Sequence, residues 1–318
     1  MIHFNVSVII PVYDVENYIN RAIDSVLQQE DVTELILVED GSSDNSLQQC
    51  LERQKLDSRI TVLTHEENKN KGVSASRNVG IKKAKNEFIA FLDGDDYYLP
   101  ERFKQTKSSF SCDVTIEGVY EMVSIHSKTG NFKPYSMIQF VKHNLLFENL
   151  QPLGSKVWFH IDGLTVKKTL FIKAGYFDET LKTSEDTLQW FKMAAVGRLV
   201  SGNIQQPVSI TESRLNSLSS NKEQVHQDFI TMLFILFQSC NNLNCSATRR
   251  ELVLNKLFFV CSNKSEGSVS KIITFFKVIK TNPSYVLLHS AAVRRYVGDL
   301  VGYNRLLKKL KLLNSRTG

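Results

Sequence analysis

This 318-residue chain lacks the features that would place it in several large classes of protein. Its five cysteines, Cys50, Cys112, Cys240, Cys245 and Cys261, form an odd set without a CxxC pair, so reduced thiols are expected rather than a disulfide framework. No basic region precedes the apolar run in MIHFNVSVII, and together with the thiols this leads to the expectation of a cytoplasmic protein. The longest strongly apolar stretch, FITMLFILF from Phe229 to Phe237, is about half of the roughly 20 residues needed to cross a bilayer, so no spanning helix is expected. Repeats and low-complexity tracts are also missing.

What is present suits a globular protein: 42% hydrophobic and 10% aromatic residues, enough for one large domain or two smaller ones. The net charge of +6 is modest and gives no reason to expect a nucleic-acid partner. Its distribution is uneven. Acidic residues cluster early, at Glu39 and Asp40 and from Asp93 to Asp96, whereas the terminal RLLKKLKLL is strongly basic. That asymmetry suggests a cation site in the first half and a surface for anions near the end.

The first hundred residues switch repeatedly between two periods. VSVIIPV (Val6 to Val12), LILV (Leu35 to Val38), Ile60 to Leu63 and Phe88 to Leu92 read as strands. Between them, Tyr18 to Leu27, the stretch around Leu47, Cys50 and Leu51, and Val73 to Ala84 repeat at helical spacing. The alternation predicts a Rossmann-like α/β fold with a mostly parallel central sheet and helices on both faces. Ligands of such sheets bind beyond the carboxyl ends of the strands. Those ends read PVYD, EDGSSD, THEENKN and LDGDD, and three of the four are acidic. Further on, a helix is expected after Pro100 and a strand through Val114 to Tyr120, while residues 128 to 150 show no clear period. A strand, a helix, a Gly-bounded loop and an amphipathic helix entered at Ser184 to Asp186 come next, and the chain after about residue 220 reads as helical. The resulting division is 1–98 as a ligand-binding half domain, 99–220 as the second half, and 221–318 as a helical region.

Three carboxylates within four positions, Asp93, Asp95 and Asp96, repel one another unless a cation joins them or a pKa rises. Hard oxygen ligands of this kind suit Mg²⁺ or Mn²⁺, which commonly bind through one or two carboxylates plus substrate phosphates. DGDD is equally ordinary turn chemistry, so the motif by itself leaves both readings open.

Five segments taken together resemble a known family. PVYDVENYI, EDGSSD, NKGVSASRNVGIKKAK, FLDGDD and AGYFDETLKTSEDTLQW follow in the order and approximate spacing of the family 2 glycosyltransferases of GT-A fold. The resemblance covers residues 6 to about 220. It implies a metal-dependent, inverting transfer of a hexosyl or N-acetylhexosaminyl group from a UDP-sugar to a saccharide or lipid-linked saccharide, as in bacterial polysaccharide synthesis. Pro11, Val12 and Tyr13 would hold the nucleobase, with Glu16 in the same motif, and Asp40 would accept a base N–H. A charged acceptor facing a planar imide separates uracil from cytosine, though it would also accept from guanine. Asp40 with Ser42, Ser43 and Asp44 also fits a turn capping the next helix.

By the same resemblance Arg77 would engage phosphate or base oxygens. Asp93 would hold the ribose or nucleotide, Gly94 would let the backbone pass close to the ribose, Asp95 would be the principal metal ligand and Asp96 would support it. Asp186 would be the general base, preceded by Glu185. A helix N-terminal carboxylate stabilised by the macrodipole is the plain alternative for Asp186. Trp190, one turn on, is either a platform for an acceptor sugar or a core residue. The chain departs from the family at ESRLNSLSSN, where Asn216 replaces a histidine, so a third, imidazole ligand is not expected there. Arg214 and Ser217 or Ser219 remain candidates for phosphate contact.

The tail YNRLLKKLKLL sets Leu306, Leu310 and Leu313 on one helical face among Arg305, Lys308, Lys309 and Lys311. Such a helix suits peripheral contact with an anionic membrane, a capping role or a homo-oligomer contact. A transferase has two rivals. A nicotinamide-dependent oxidoreductase fails because no GxGxxG follows the first strand. A catalytically silent sugar-nucleotide-binding or scaffold protein remains an alternative, since fold does not fix function.

Overall fold

The computed structural model describes residues 3–127, 130–136, 139–154, 157–213 and 221–263, and the structural statements below concern these. Strands and helices alternate through β1 (Val6–Val12), α1 (Ile19–Leu27), β2 (Val32–Glu39), α2 (Ser46–Leu56), β3 (Ile60–Thr64), α3 (Val73–Lys83) and β4 (Phe88–Phe91). The next stretch is shorter-grained: β5 (Tyr97–Tyr98), α4 (Lys104–Cys112), β6 (Gly118–Tyr120), β7 (Val123–His126), β8 (Phe132–Pro134) and α5 (Leu146–Asn149). Then come β9 (Leu164–Lys167), α6 (Lys168–Ala174), α7 (Glu185–Val196), β10 (Leu199–Ser201), β11 (Ser209–Glu212), α8 (Lys222–Asn242) and α9 (Ala247–Asn263).

Seven strands form one sheet in the order β10-β6-β9-β4-β1-β2-β3. It is parallel except at β9, which runs against both β4 and β6. A second sheet, β5-β11-β7-β8, carries the continuation of the chain beyond the acidic turn. Central strands are apolar throughout because both faces are covered: Val6, Val8, Ile9, Ile10 and Val12 of β1 are all fully buried. Phe4, Phe88 and Phe110 fill the core beside them, Phe88 lying 4.7 Å from each of the other two ring centroids.

The strand expected from Val114 is found only from Gly118, because Asp113 accepts the backbone N–H and hydroxyl of Thr115 and folds that segment into a turn. Among the described residues, those up to Asp228 and those from Phe229 on fall into separate compact units. No described helix is long and apolar enough to cross a membrane.

Helix α3 lies unusually close to β1, and a glycine makes the approach possible. A Cβ at Gly80 would sit 2.4 Å from Cγ2 of the buried Ile9. Gly80→Ala adds up to about 1 kcal/mol of helix propensity, but overpacking a closed core costs about 1–3 kcal/mol. A net destabilisation is therefore expected in urea titration, and an unchanged or raised midpoint would show that β1 yields here.

Candidate active site

The carboxyl ends of the parallel strands carry loops that hold one another. After β1, the N–H of Glu16 donates to Asp44 and the N–H of Val15 to Ser46 Oγ, both at 2.9 Å. In return Asp14 accepts from the Ser43 N–H at 2.8 Å and Glu16 from both nitrogens of Asn45 at 3.0 Å. Glu16 thus fastens the loop before α2. Val12 contributes its backbone to this edge, accepting from the Asp40 N–H at 2.9 Å, while its side chain belongs to the core. Pro11 is half-buried on the same strand, and Tyr13 stands out from its end, 49% exposed. The Tyr13 pKa is raised, first by the Asp14 charge, then by burial, a hydrogen bond with Asp14 and the Asp40 charge.

Asp40 is buried, and its two oxygens take the backbone N–H groups of Lys71 (2.6 Å) and Gly72 (2.9 Å) at the entry to α3. Burial raises its pKa against these hydrogen bonds. Its first role is therefore to pin the α3 entry. His65 Nε2 also lies 3.4 Å from Oδ1, so three groups already surround this carboxylate. Gly72 enters α3 at φ +90°, and Gly94 packs where a Cβ would lie 3.1 Å from the Pro11 carbonyl oxygen. The close approach that Gly94 permits is thus to β1 itself.

Arg77 does not meet the expectation of a phosphate ligand. Arg77 is 3% exposed and both terminal nitrogens of its guanidinium are taken, by Asp93 and by Glu185, at 2.9 Å each. It bridges two acidic segments of the site over Phe177, 5.5 Å from the ring centroid. Burial and the neighbouring Asp186 push Glu185 up to about 7, against the pull of Arg77. Glu185 is therefore a held group. Asp186, next to it in the first turn of α7, is half-buried, and its Oδ1 accepts from the N–H and hydroxyl of Thr187. The turn is entered through Ser184 at φ +65°, a left-handed conformation that a non-glycine residue holds only where its surroundings fix it.

At the end of β4, carboxylate oxygens of Asp93 and Asp96 and a ring nitrogen of His160 all lie within 4.8 Å of one another. The resemblance gives Asp95 as the principal ligand with Asp96 in support and no imidazole at Asn216; the imidazole here comes from His160 instead. Asp95 is half-buried in the same turn, its carbonyl accepting from Arg21 at 2.9 Å, and it is not among the three. Asp96 is buried and accepts from the Glu212 N–H at 2.9 Å. Its pKa lies well above the usual range, through burial first and then the charges of Asp162 and Asp95. Burial lowers the His160 pKa, but Asp162, 3.3 Å from Nδ1, together with Asp93 and Asp186, overcomes this and raises it to about 9.

The cluster rests on a fully buried support. Asp162 Oδ1 accepts from the Asp93 N–H at 3.1 Å, and Arg102 donates twice to the Asp162 carbonyl, at 3.1 and 2.9 Å. Arg102 also pairs with Glu121 at 2.6 Å, both side chains being wholly buried. Sequence reasoning missed His160, Asp162, Arg102 and Glu121. The available signals were the HID triplet and a glutamate directly after the apolar GVY run.

Two further expectations need placing. Trp190 is 1% exposed and packs on Phe159, ring centroids 4.9 Å apart, so it is a core residue and offers no face to a sugar. Arg214, Asn216, Ser217, Ser219 and the basic tail lie outside the described residues.

Whether the cluster fits a divalent cation can be judged from its own atoms. Two carboxylates and one imidazole converge, and a buried carboxyl is pressed by its neighbours. Such a donor set fits a hard or borderline metal ion.

Comparison with known proteins agrees with this architecture. Residues 7–153 match the family model described as glycosyl transferase family 2. The chain is 43% identical over 225 residues to the "Uncharacterized glycosyltransferase EpsJ" of Bacillus subtilis, covering 65% of this chain and 63% of that protein. It is 32% identical over 225 residues to an "Uncharacterized glycosyltransferase" of Rickettsia felis, covering 69% of this chain but 35% of the relative. The chain thus spans from about a third to under two thirds of these relatives. Among solved structures, S. aureus TarS 1-349 superposes with a TM-score of 0.64 at 20% identity, covering 95% of this chain and 91% of that one. That protein has also been solved in complex with UDP and with UDP-GlcNAc. By its domain match, its relatives and its fold, the chain belongs to glycosyl transferase family 2 and is built on the GT-A fold.

Proposed function

We propose that the protein transfers a hexosyl or N-acetylhexosaminyl group from a UDP-sugar to a hydroxyl of a saccharide or lipid-linked saccharide, with inversion and with Mn²⁺ or Mg²⁺. One observation carries this reading: a convergent carboxylate and imidazole cluster beyond the ends of parallel strands, joined through Arg77 and Glu185 to the turn that presents Asp186. The S. aureus neighbour's complexes with UDP and UDP-GlcNAc support the choice of donor class.

Asp93, Asp96 and His160, with Asp95 in the same turn, would hold the cation, which when bound supplies Lewis-acid stabilisation of a diphosphate leaving group. Tyr13 and Asp40 lie together at the end of the first two strands, where a planar base could meet a ring and an acceptor. Arg77 fixes Asp93 relative to Glu185, so the donor end and the acceptor end of the site keep one spacing. A sugar hydroxyl is a poor nucleophile until its proton is taken, and Asp186 would take it.

Proton NMR of UDP-GlcNAc incubated with the protein and Mn²⁺ tests the proposal. The expected outcome is metal-dependent release of UDP, with the β-anomer of the free sugar appearing first. Binding of UDP-sugars across a hexose panel without any UDP release would favour a silent binding protein.

A further inference from the structure

Trp190 lies in the core, which leaves Trp158 as the other of the chain's two tryptophans. It sits in an extended stretch in which Val157 and Phe159 are fully buried and Trp158 is half-buried, so the indole faces the opposite way from the core. Its ring meets Tyr135 edge to face, centroids 4.7 Å apart at 86°. Tyr135 in turn lies 5.3 Å from the His160 ring, and its N–H is held by the Val123 carbonyl at 2.8 Å. Burial raises the Tyr135 phenol pKa, and the charges of Asp186, Asp96, Asp93 and Asp162 raise it further. Tyr135 thus lies against the His160 ring of the cluster, and Trp158 lies against Tyr135.

A pyranose ring carries C–H groups on one face and hydroxyls around its rim. An aromatic face beside hydrogen-bonding groups matches both surfaces at once, and a rigid ring loses little entropy in making the contact. We propose that Trp158 and Tyr135 form the wall of a pyranose subsite, with Trp158 covering the C–H face of the sugar that reacts next to Asp186. This deepens the proposed transferase function and rests on it. The sugar is either that of the donor or that of the acceptor, and the experiment separates the two.

Acrylamide quenching of tryptophan fluorescence reads the wall directly, since Trp190 is shielded and the Trp158→Phe variant reports its emission alone. Donor titrations use UDP and then UDP-glucose, UDP-galactose, UDP-GlcNAc and UDP-GalNAc with Mn²⁺, and acceptor titrations use the methyl β-glycosides of the same four sugars. A donor subsite predicts at least twofold less quenching with a UDP-sugar but not with UDP. An acceptor subsite predicts the same protection from a glycoside. In Trp158→Ala, UDP-sugar hydrolysis or transfer to the glycoside should fall at least tenfold in kcat/KM, with UDP affinity and Tm unchanged, while Trp158→Phe recovers most of it. The inference is overturned if calorimetry shows a UDP-sugar bound and no sugar in either series protects the indole. It is equally overturned if Trp158→Ala keeps kcat/KM within twofold. Failure of UDP itself to bind would sink the transferase function instead, and the glycoside series would still test the wall.

Discussion

Asp186→Asn should lower turnover by roughly 10²-fold or more while leaving donor affinity nearly intact. A general base acts on the acceptor hydroxyl in the transition state, so its loss appears in kcat and not in the binding of a donor that it need not touch. The substitution keeps the shape of the side chain, and Asn retains the oxygen that accepts from Thr187 at the α7 entry. Folding should survive, as a thermal melt would show. Glu185→Gln is the control. Glu185 is held by Arg77, so its loss should loosen the bridge to Asp93 and weaken donor binding along with turnover. Near-normal transfer by Asp186→Asn would move the base elsewhere.

Glu121→Gln is expected to destabilise the protein by about 3–5 kcal/mol, because it leaves the guanidinium of Arg102 buried without its counter-charge. The shape barely changes, so a cavity cannot account for a loss of that size. Glu121 also accepts from the Thr106 hydroxyl at 2.6 Å and the Asn203 N–H at 3.0 Å, and the amide can keep only part of this set. Pairing it with Arg102→Met removes the stranded charge. The double variant should then be less destabilised than the sum of the single ones in urea titration, and strict additivity would contradict a coupled pair. Since Arg102 holds the Asp162 carbonyl, both single variants should also reduce activity below what their unfolded fraction explains.

Most of the central sheet was legible because its strands are buried on both faces and read as unbroken apolar runs between segments of helical period. VSVIIPV gives β1 to the residue. The acidic turn was legible for a different reason: three carboxylates in four positions are unstable without an explanation. Partnerships across the sheet were not legible. His160 reaches Asp93 and Asp96 because antiparallel β9 lies beside β4, an order that no local pattern encodes. The resemblance sends Arg77 to phosphate or base oxygens, and its pairing with Glu185, 108 positions away, has no local sign in the sequence. Helix position alone leaves Trp190 open between an acceptor platform and a core residue, and its packing on Phe159 decides for the core. Residues 128 to 150 showed no period because β8 is exposed and the α5 helix is a single turn.

The central claim is that the acidic turn and His160 bind a metal ion that in turn binds the donor diphosphate. Calorimetric titration of UDP with and without Mn²⁺ tests it most directly, in the wild type, in Asp95→Asn/Asp96→Asn and in His160→Gln. The account predicts that Mn²⁺ strengthens UDP binding at least tenfold in the wild type, much less in His160→Gln, and not at all in the double variant. Equal strengthening by Mn²⁺ in all three proteins would contradict it.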